Sequence, residues 1–219
     1  SVVEKGAKGD NRTEDTAAIQ AALDDCTTVV FPAPGTYLSR SLFLSMNDQM
    51  IVIEEGATLI AWGDVDTWNW TTKVYPLLSV SPNASLPISN IELNGGGVID
   101  GQGWRWWPFL KTRPRPLLVD LIDVAGLFVH DIHLVNSPAF HLNLRGMDIL
   151  VENVTVYSNP ACGGWSTNPN TDAFNIGGEN ITIRDSFARN GDDCIPTNHY
   201  PTRRSGYTRD VLVERVICE

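Results

Sequence analysis

An internal repeat constrains the fold of this chain more than any other feature. Segments that read apolar, any residue, apolar, and then Asn, Asp or Arg among polar residues start at Leu127, Ile149, Ile181 and Val211, with an earlier copy at Ile88. Leu127 and Ile149 are 22 residues apart, and the next two intervals are 32 and 30 residues. A period near 22 with short β segments and no interposed helices is typical of a parallel β-helix, whose neighbouring coils stack about 4.8 Å apart.

The N-terminal third also consists of short β segments, which Pro and Gly separate. These segments are residues 29–31, 37–38, 42–44, 51–53 and 58–60. Residues 13–25 are the exception and predict a helix, because Ile19, Ala22 and Leu23 form an apolar face. We expect this helix to cap the open end of the coil. The lack of alternating helices excludes a doubly wound sheet, so the prediction is one all-β domain over residues 1–219, a β-solenoid with an N-terminal capping α-helix.

Composition excludes several classes of protein. The 219 residues are 42% hydrophobic and 19% charged, which argues against disorder. The net charge of −10 argues against nucleic acid or an anionic membrane surface as the main partner. No apolar run approaches the ~18 residues of a membrane span. The first residues do not resemble a signal peptide, so we expect either a cytosolic chain or one that has been processed.

Two features favour the processed, secreted alternative. Five Asn-x-Ser/Thr triplets predict glycosylation sites, at Asn11, Asn69, Asn83, Asn153 and Asn180. The four cysteines are compatible with two disulfides. Cys218 lies one coil after Cys194, and we predict that these two pair. Cys26 and Cys162 are either partners or free thiols, and the sequence does not decide between these states.

Three aspartates follow one another at the interval of about one coil. Asp172 ends an Asn-Thr-Asp triplet, and Asp192 and Asp193 stand in Gly-Asp-Asp-Cys about twenty residues later. Stacked coils would bring these carboxylates together, which is costly unless they bind a cation or perform acid–base chemistry. The simpler alternative is that they are corner residues, since Asp and Asn favour turns. Insertions at 162–170 and 199–208 would build walls beside them and form an elongated cleft.

Two aromatic clusters allow two interpretations. Residues 61–80 contain three tryptophans, and residues 104–109 contain three more beside a phenylalanine. Packing of a loop or of the core is the default for such residues. The functional alternative is the wall of a sugar cleft. His199 is interpreted as an exposed loop histidine.

The two aspartate motifs together resemble the first two of four signature motifs of family 28 glycoside hydrolases, the polygalacturonase family. The segments GAKGDNRTEDTAAIQAAL and IDGQGWRWW resemble that family's opening and its Gly-x-Gly-x-x-Trp-Trp segment. The resemblance implies a right-handed parallel β-helix. It also implies a secreted enzyme that hydrolyses α-glycosidic bonds of pectic polysaccharide with inversion, and we expect no metal and no other cofactor.

The resemblance also implies a role for each aspartate. Asp192 looks like the general acid, and Asp172 and Asp193 look like the pair that activates water. Asn170 and Asn198, which flank the motifs, are predicted to bind substrate. Crowded carboxylates raise the pKa of one member, so we expect an acidic pH optimum. Inverting carboxyls usually lie ~6.5–9.5 Å apart whereas coils stack at ~4.8 Å, so the spacing of the side chains stays open at this point.

Two further motifs of that family, Gly-His-Gly and Arg-x-Lys, are expected after the Asp pair and do not occur before Glu219. We therefore expect a monomer, or a chain completed by a further C-terminal polypeptide. Two alternatives remain, a Ca²⁺-dependent pectate lyase with aspartate oxygens as ligands and a non-catalytic carbohydrate-binding β-helix. The sequence does not choose among homogalacturonan, rhamnogalacturonan and xylogalacturonan, nor between endo and exo action.

Overall fold

The computed structural model describes residues 1–63, 68, 74–109, 114–158, 168–197 and 207–219. Its strands are β1 (Asp10–Glu14), β2 (Thr28–Phe31), β3 (Gly35–Ser39), β4 (Leu42–Leu44), β5 (Gln49–Ile53), β6 (Ala57–Ala61), β7 (Leu78–Val80), β8 (Ile88–Asn94), β9 (Val98–Asp100), β10 (Val119–Val135), β11 (Leu142–Tyr157), β12 (Phe174–Arg184), β13 (Phe187–Arg189), β14 (Arg209–Glu214) and β15 (Ile217–Cys218). The helices of these residues are α1 (Thr16–Asp25) and two 3₁₀ turns, Gly103–Arg105 and Trp107–Phe109.

The strands wind into a right-handed parallel β-helix, as the sequence predicts. Every pairing between these strands is parallel, and the pairings follow three columns along the coil axis. Sheet A contains β2, β5, β8, the middle of β10 and β11, the second half of β12, and β14. Sheet B contains β4, β7 and the first residues of β10, β11 and β12. Sheet C contains β1, β3, β6, β9, the ends of β10 and β11, then β13 and β15.

The predicted repeat gives the register of sheet A, with one correction. Leu127 pairs with Ile149, Ile149 with Ile181, and Ile181 with Val211. The earliest copy is displaced, because Leu127 pairs with Ile91 and not with Ile88. The residues just before each of these paired positions have positive φ, so the backbone corner determines the register and the apolar pattern of β8 does not.

Asn and Asp form stacks at the corners of the coil. Positive φ recurs immediately before the sheet A strands, at Asp48, Asn90, Gly126, Asp148, Asn180 and Asp210. Asn and Asp tolerate this left-handed conformation, and their side chains also bond across coils. Asn90 Nδ2 donates to Asp48 Oδ1 at 2.7 Å, and Asn180 Nδ2 donates to Asp148 Oδ1 at 2.6 Å. These stacks lie away from the three aspartates of sheet B.

The glycosylation triplets fall on exposed positions where the structure describes them. Asn11, Asn83, Asn153 and Asn180 are exposed, and Asn69 lies outside the described residues. The amides of Asn153 and Asn180 donate to the carboxylates of the preceding coil, whereas Asn11 and Asn83 stand at no such stack. Because the glycan attaches to the side-chain amide, Asn11 and Asn83 are the more available acceptors. Glycosylation stays a prediction at all five positions.

The N-terminal helix covers one end of the coil. Ile19, Ala22 and Leu23 are buried as predicted, and α1 packs against β3 and β4. The helix begins at Thr16, later than the predicted residue 13, because residues 10–14 pair with β3 as strand β1. Asp15 stands at the N-cap position, but its carboxylate accepts from the N–H groups of Lys8 and Gly9 instead of from the helix.

Packing in the interior explains three of the five tryptophans that the structure describes in the two aromatic clusters. Trp68 and Trp106 are buried and meet edge to face, with ring centroids 5.9 Å apart. Trp107 is also buried and donates its Nε1–H to the Ser137 carbonyl. Trp104 is exposed beneath the guanidinium of Arg105. These contacts support core packing. Trp62 is half-buried beneath the guanidinium of Arg40, and Trp70 lies outside the described residues.

The cysteines agree with the prediction as far as the structure describes them. Cys194 and Cys218 form a disulfide across neighbouring coils, with Cα atoms 6.0 Å apart. Cys26 carries a free thiol in the described part of the chain, and its predicted partner Cys162 lies outside it. No helix among the described residues is long and apolar enough to cross a membrane.

Candidate active site

The three aspartates lie at the N-terminal edge of two successive coils of sheet B. Asp172 stands two residues before β12, and Asp192 and Asp193 stand at the same place one coil later. The Ala173 N–H donates to the carbonyl of Asp193 at 3.0 Å, which fixes the two segments side by side. Asp172 is 6% exposed, while Asp192 and Asp193 are exposed. The structure therefore brings the three residues together, with Asp172 buried and Asp192 and Asp193 open to solvent.

Backbone N–H groups orient the carboxylate of Asp192. Its Oδ2 accepts from the Asn170 N–H at 2.8 Å, and its Oδ1 accepts from the Asp193 N–H at 2.9 Å. The amide of Asn190 donates to the carbonyls of Asp192 and Asp193, at 2.8 and 3.1 Å. Thr171 Oγ1 accepts from the Gly191 N–H. The two motif segments thus form one cross-linked unit.

The environment of Asp172 favours its protonated form. Burial raises the pKa of this carboxyl to about 6, and the negative charges of Asp192 and Asp193 act in the same direction. The Asn175 amide opposes this shift, since its Nδ2 donates to Asp172 Oδ2 at 2.8 Å. The cluster consequently holds a proton below about pH 6, as acid–base hydrolysis requires.

The first expected result concerns pH. As the pH rises through about 6, Asp172 loses the proton that it holds, so this proton is no longer available for the reaction. We therefore expect kcat/KM to fall on the alkaline side with a midpoint near pH 6. Asn175→Ala should move this midpoint upwards, because the lost hydrogen bond had lowered the pKa of Asp172. Initial rates from pH 3 to 8 measure the effect, and an activity that keeps rising above pH 7 would contradict it.

The predicted substrate-binding residues have different outcomes. Asn170 is exposed beside the aspartates and has a positive φ of 55°. Its N–H is used by Asp192, and its Oδ1 accepts from Arg115 Nη2 at 3.0 Å. Asn198 lies outside the described residues, as do His199 and most of both insertions, at 159–167 and 198–206. Binding of substrate by Asn170 or Asn198 stays a prediction.

His141 supports the Asp172 segment, and the sequence did not single it out. The ring is fully buried, and its Nδ1 lies 3.1 and 3.2 Å from the carbonyl oxygens of Thr171 and Asp172. Its Nε2 accepts from the Ser137 N–H and lies 2.9 Å from Ser158 Oγ. Carbonyls only accept, so Nδ1 carries the hydrogen and the ring is neutral. A histidine directly before the apolar residues of β11 was the available signal.

The second expected result concerns His141 and stability. Burial lowers the pKa of His141 from 6.5 to about 4, so the unfolded chain binds the proton more tightly than the folded one. This histidine should therefore remove about 3 kcal/mol of unfolding free energy as the pH falls from 6.5 to 4. His141→Gln should cost about 1–3 kcal/mol at pH 7 through lost hydrogen bonds, and this deficit should shrink towards pH 4.

Urea unfolding of both proteins at pH 7, 5.5 and 4 measures this difference, and carboxylates common to both proteins cancel from it. A deficit that is constant with pH would show that His141 does not enter the fold as the neutral ring.

A row of polar side chains leads from the aspartates along sheet B. Ser79 pairs with Asp120, Asp120 with Asn143, and Asn143 with Asn175, so one member lies on each of four coils. Asn143 Nδ2 donates to Asp120 Oδ1 at 2.5 Å. We call these four residues the sheet B ladder. The ladder connects Asp172 with a cavity of about 280 Å³, which is lined in part by Ser79 and Asp120.

The arrangement of the carboxylates bears on metals as well. Among the residues that the structure describes, no group of three or more His, Cys, Asp or Glu side chains is arranged to hold a metal ion. Asp192 directs both carboxylate oxygens to backbone N–H groups, and Asp172 directs one to Asn175. These hydrogen bonds fix the orientation of both carboxylates.

Together, the coil and this face define a parallel β-helical protein with a cluster of three carboxylates on one exposed sheet. Residues 26–219 match the profile of Glycosyl hydrolases family 28, and the chain belongs to this family.

Among its relatives, the endo-xylogalacturonan hydrolase A of Aspergillus tubingensis is 31% identical over 211 residues, which cover 90% of this chain and 50% of that protein. The crystal structure of the endo-xylogalacturonan hydrolase from the same organism superimposes with a TM-score of 0.74 at 27% identity, over 97% of this chain and 56% of that one. The Family 28 exopolygalacturonase of Yersinia enterocolitica has the same fold, with a TM-score of 0.80 at 20% identity over 99% and 48% of the two chains. The chain thus spans about half the length of these relatives.

Proposed function

We propose that the protein carrying this chain hydrolyses α-glycosidic bonds of pectic polysaccharide by inverting acid–base catalysis. The observation that carries the proposal is the stacking of Asp172 against Asp192 and Asp193 on an open sheet. Family membership and the named activities of the relatives support it. A linear polymer suits this face, because Asp192 and Asp193 are exposed on it and the coils beside them continue the same sheet.

The proposed reaction uses one carboxyl as acid and one carboxylate as base. Asp192 donates a proton to the glycosidic oxygen as the bond to the leaving sugar breaks. Asp172 and Asp193 hold a water on the opposite face of the ring, take its proton, and direct its oxygen to the anomeric carbon. In the free protein Asp172 holds a proton below about pH 6, so in the reactive form this proton has passed to Asp192 and Asp172 is ionised. Water delivers the hydroxyl, so each cleavage consumes one water.

A substrate panel tests this function. Homogalacturonan, xylogalacturonan and rhamnogalacturonan are offered separately, and new reducing ends are counted. Proton NMR of the first products should show the anomer opposite to that of the cleaved bond. Chelator should leave the rate unchanged and no ultraviolet-absorbing unsaturated sugar should form; the reverse on both counts would establish a lyase. Binding without cleavage of all three polymers would instead establish a carbohydrate-binding protein.

We also propose that the protein is secreted as a glycosylated monomer. The Cys194–Cys218 disulfide supports this, because such bonds persist in oxidising compartments. The exposed triplets at Asn11 and Asn83 support it as well. Expression in a eukaryotic host should place the protein in the medium, with a mass that falls on treatment with an N-glycanase. Recovery only from the cell interior, with unmodified mass, would overturn this part of the proposal.

A further inference from the structure

We propose that Arg115 and the cavity beside it form a binding site for the carboxylate of a galacturonate residue of the substrate. This site lies towards the N-terminal end of the coil from the aspartates. It rests on the proposed function and names the chemical group that this part of the chain recognises.

Arg115 is held rigidly at the edge of the candidate active site. Its Nη1 donates to the carbonyls of Pro138 and Pro169, at 2.7 and 2.6 Å, and its Nη2 donates to Asn170 Oδ1 at 3.0 Å. These bonds use three of the five N–H groups of a guanidinium. The Nε–H and one Nη2–H have no hydrogen-bond partner among the described residues. A cation fixed in this way loses little conformational entropy when it binds a planar carboxylate.

The cavity next to Arg115 has the composition of a sugar site. Its volume is about 280 Å³, close to the lower end of the ~300–1,000 Å³ that small-molecule pockets span. Tyr75, Leu117 and Ile122 contribute apolar surface, and Ser79 and Asp120 contribute hydrogen-bonding groups. Arg115 is the only cation among the described residues that line it.

The stacking of the coils fixes how far this cavity lies from the aspartates. The Leu118 N–H donates to the carbonyl of Phe140, and the His141 N–H donates to the carbonyl of Asp172. Leu117 therefore lies two coils before Asp172, a distance of about 10 Å along the axis. Arg115 itself touches Asn170 beside Asp192. A short oligosaccharide in the cavity could therefore span the two coils to the aspartates.

Electrostatics explains why a cation is needed here. Asp120 and Asp123 also line the cavity, and three further carboxylates lie two to three coils away. A galacturonate chain carries one negative charge on each sugar, and such a surface would repel it. Arg115 offsets this repulsion where one sugar sits, and Asp120 can then accept from sugar hydroxyls. The competing occupant is an uncharged sugar, for which Arg115 would have no charged partner.

The test changes the substrate and the protein together. Oligogalacturonides of one defined length are compared with their methyl esters, which keep the shape and lose the charge. Wild-type protein, Arg115→Gln and Arg115→Lys are each measured for kcat/KM on both ligands, and for binding of both by calorimetry. The ratio of kcat/KM on the acid to kcat/KM on the ester does not depend on how much of the protein is folded. Arg105→Gln is the matched control, since that arginine lines a different cavity.

We expect Arg115→Gln to lower the acid-to-ester ratio about ten- to a hundredfold, as loss of a hydrogen-bonded charge pair should. Arg115→Lys should retain part of the preference and Arg105→Gln all of it. An unchanged ratio in Arg115→Gln would overturn the inference, and so would tighter wild-type binding of the ester. Failure of the proposed function is a separate result, because the wild-type protein would then cleave neither ligand while calorimetry still reports the ratio.

Discussion

Replacing Asp192 by Asn is expected to lower kcat on the preferred pectic polymer by about 10²–10⁴-fold, because an amide cannot donate the proton that the leaving oxygen needs. KM should change little, since the side chain keeps its size. The remaining activity should carry a second signature. Asp192 raises the pKa of Asp172 through its negative charge, so the alkaline limb of the pH profile should move to lower pH in the variant. Reducing-end assays across pH measure both effects.

The control is Asp24→Asn, the same chemical change at an exposed carboxylate on α1, at the far end of the coil. It should leave kcat and the pH profile unchanged. Should Asp192→Asn keep its rate within a factor of about three, the general acid must be another group. Should it lose activity without any shift of the pH limb, the coupling between Asp192 and Asp172 would be absent.

Replacing Gly178 by Ala is expected to lower the free energy of unfolding by about 3–5 kcal/mol. This glycine has φ of +125°, and an added Cβ would lie 1.9 Å from the carbonyl oxygen of Gly146. Gly146 itself is as crowded, because its Cβ would lie 2.0 Å from the carbonyl oxygen of Val124. Backbone carbonyls in stacked coils cannot rotate away from the added Cβ without breaking the backbone hydrogen bonds between the coils. Urea unfolding measures the loss.

The comparison for this change is Gly56→Ala. Gly56 also has positive φ, at +87°, but the nearest atom to an added Cβ is 3.5 Å away. Its cost should therefore be the backbone strain alone, about 1–2 kcal/mol. Equal losses at Gly56 and Gly178 would mean that close approach of the coils contributes nothing. Gly178 stands six residues after Asp172 in the same coil. Its variant should therefore lose a larger fraction of its activity than of its folded protein.

The fold could be predicted from the sequence because its strands repeat with one apolar pattern. Four copies of that pattern gave the correct register of sheet A, from Leu127 to Val211. The earlier copy was misplaced by three residues, since Ile88 and Ile91 are equally apolar and only the corner at Asn90 distinguishes them. The helix start was misplaced for a related reason. Residues 10–14 are polar and exposed, and only their pairing with β3 makes them a strand.

The candidate site was predictable where one coil separates its members. Asp172 and Asp192 are about one coil apart in the sequence, and this spacing predicted that they lie together. Arg115 does not meet this condition, because 55 residues separate it from Asn170, including coils of unequal length. His141 was not predicted from the sequence, because its partners are mostly backbone atoms that no side-chain pattern shows. Residues that act by contacting the main chain leave little trace in a sequence.

The parallel stack also fixes the distances between sites that lie on different coils. Each coil advances the surface by about 4.8 Å, so the interval between Arg115's cavity and the aspartates can change only in whole steps. Duplication or loss of a single coil between β10 and β12 would change the distance between the cavity and the aspartates by that step, and it would also separate Arg115 from Pro169 and Asn170. Under the proposed function, variation in the number of coils would thus change in discrete steps which bond of a polymer lies at the aspartates.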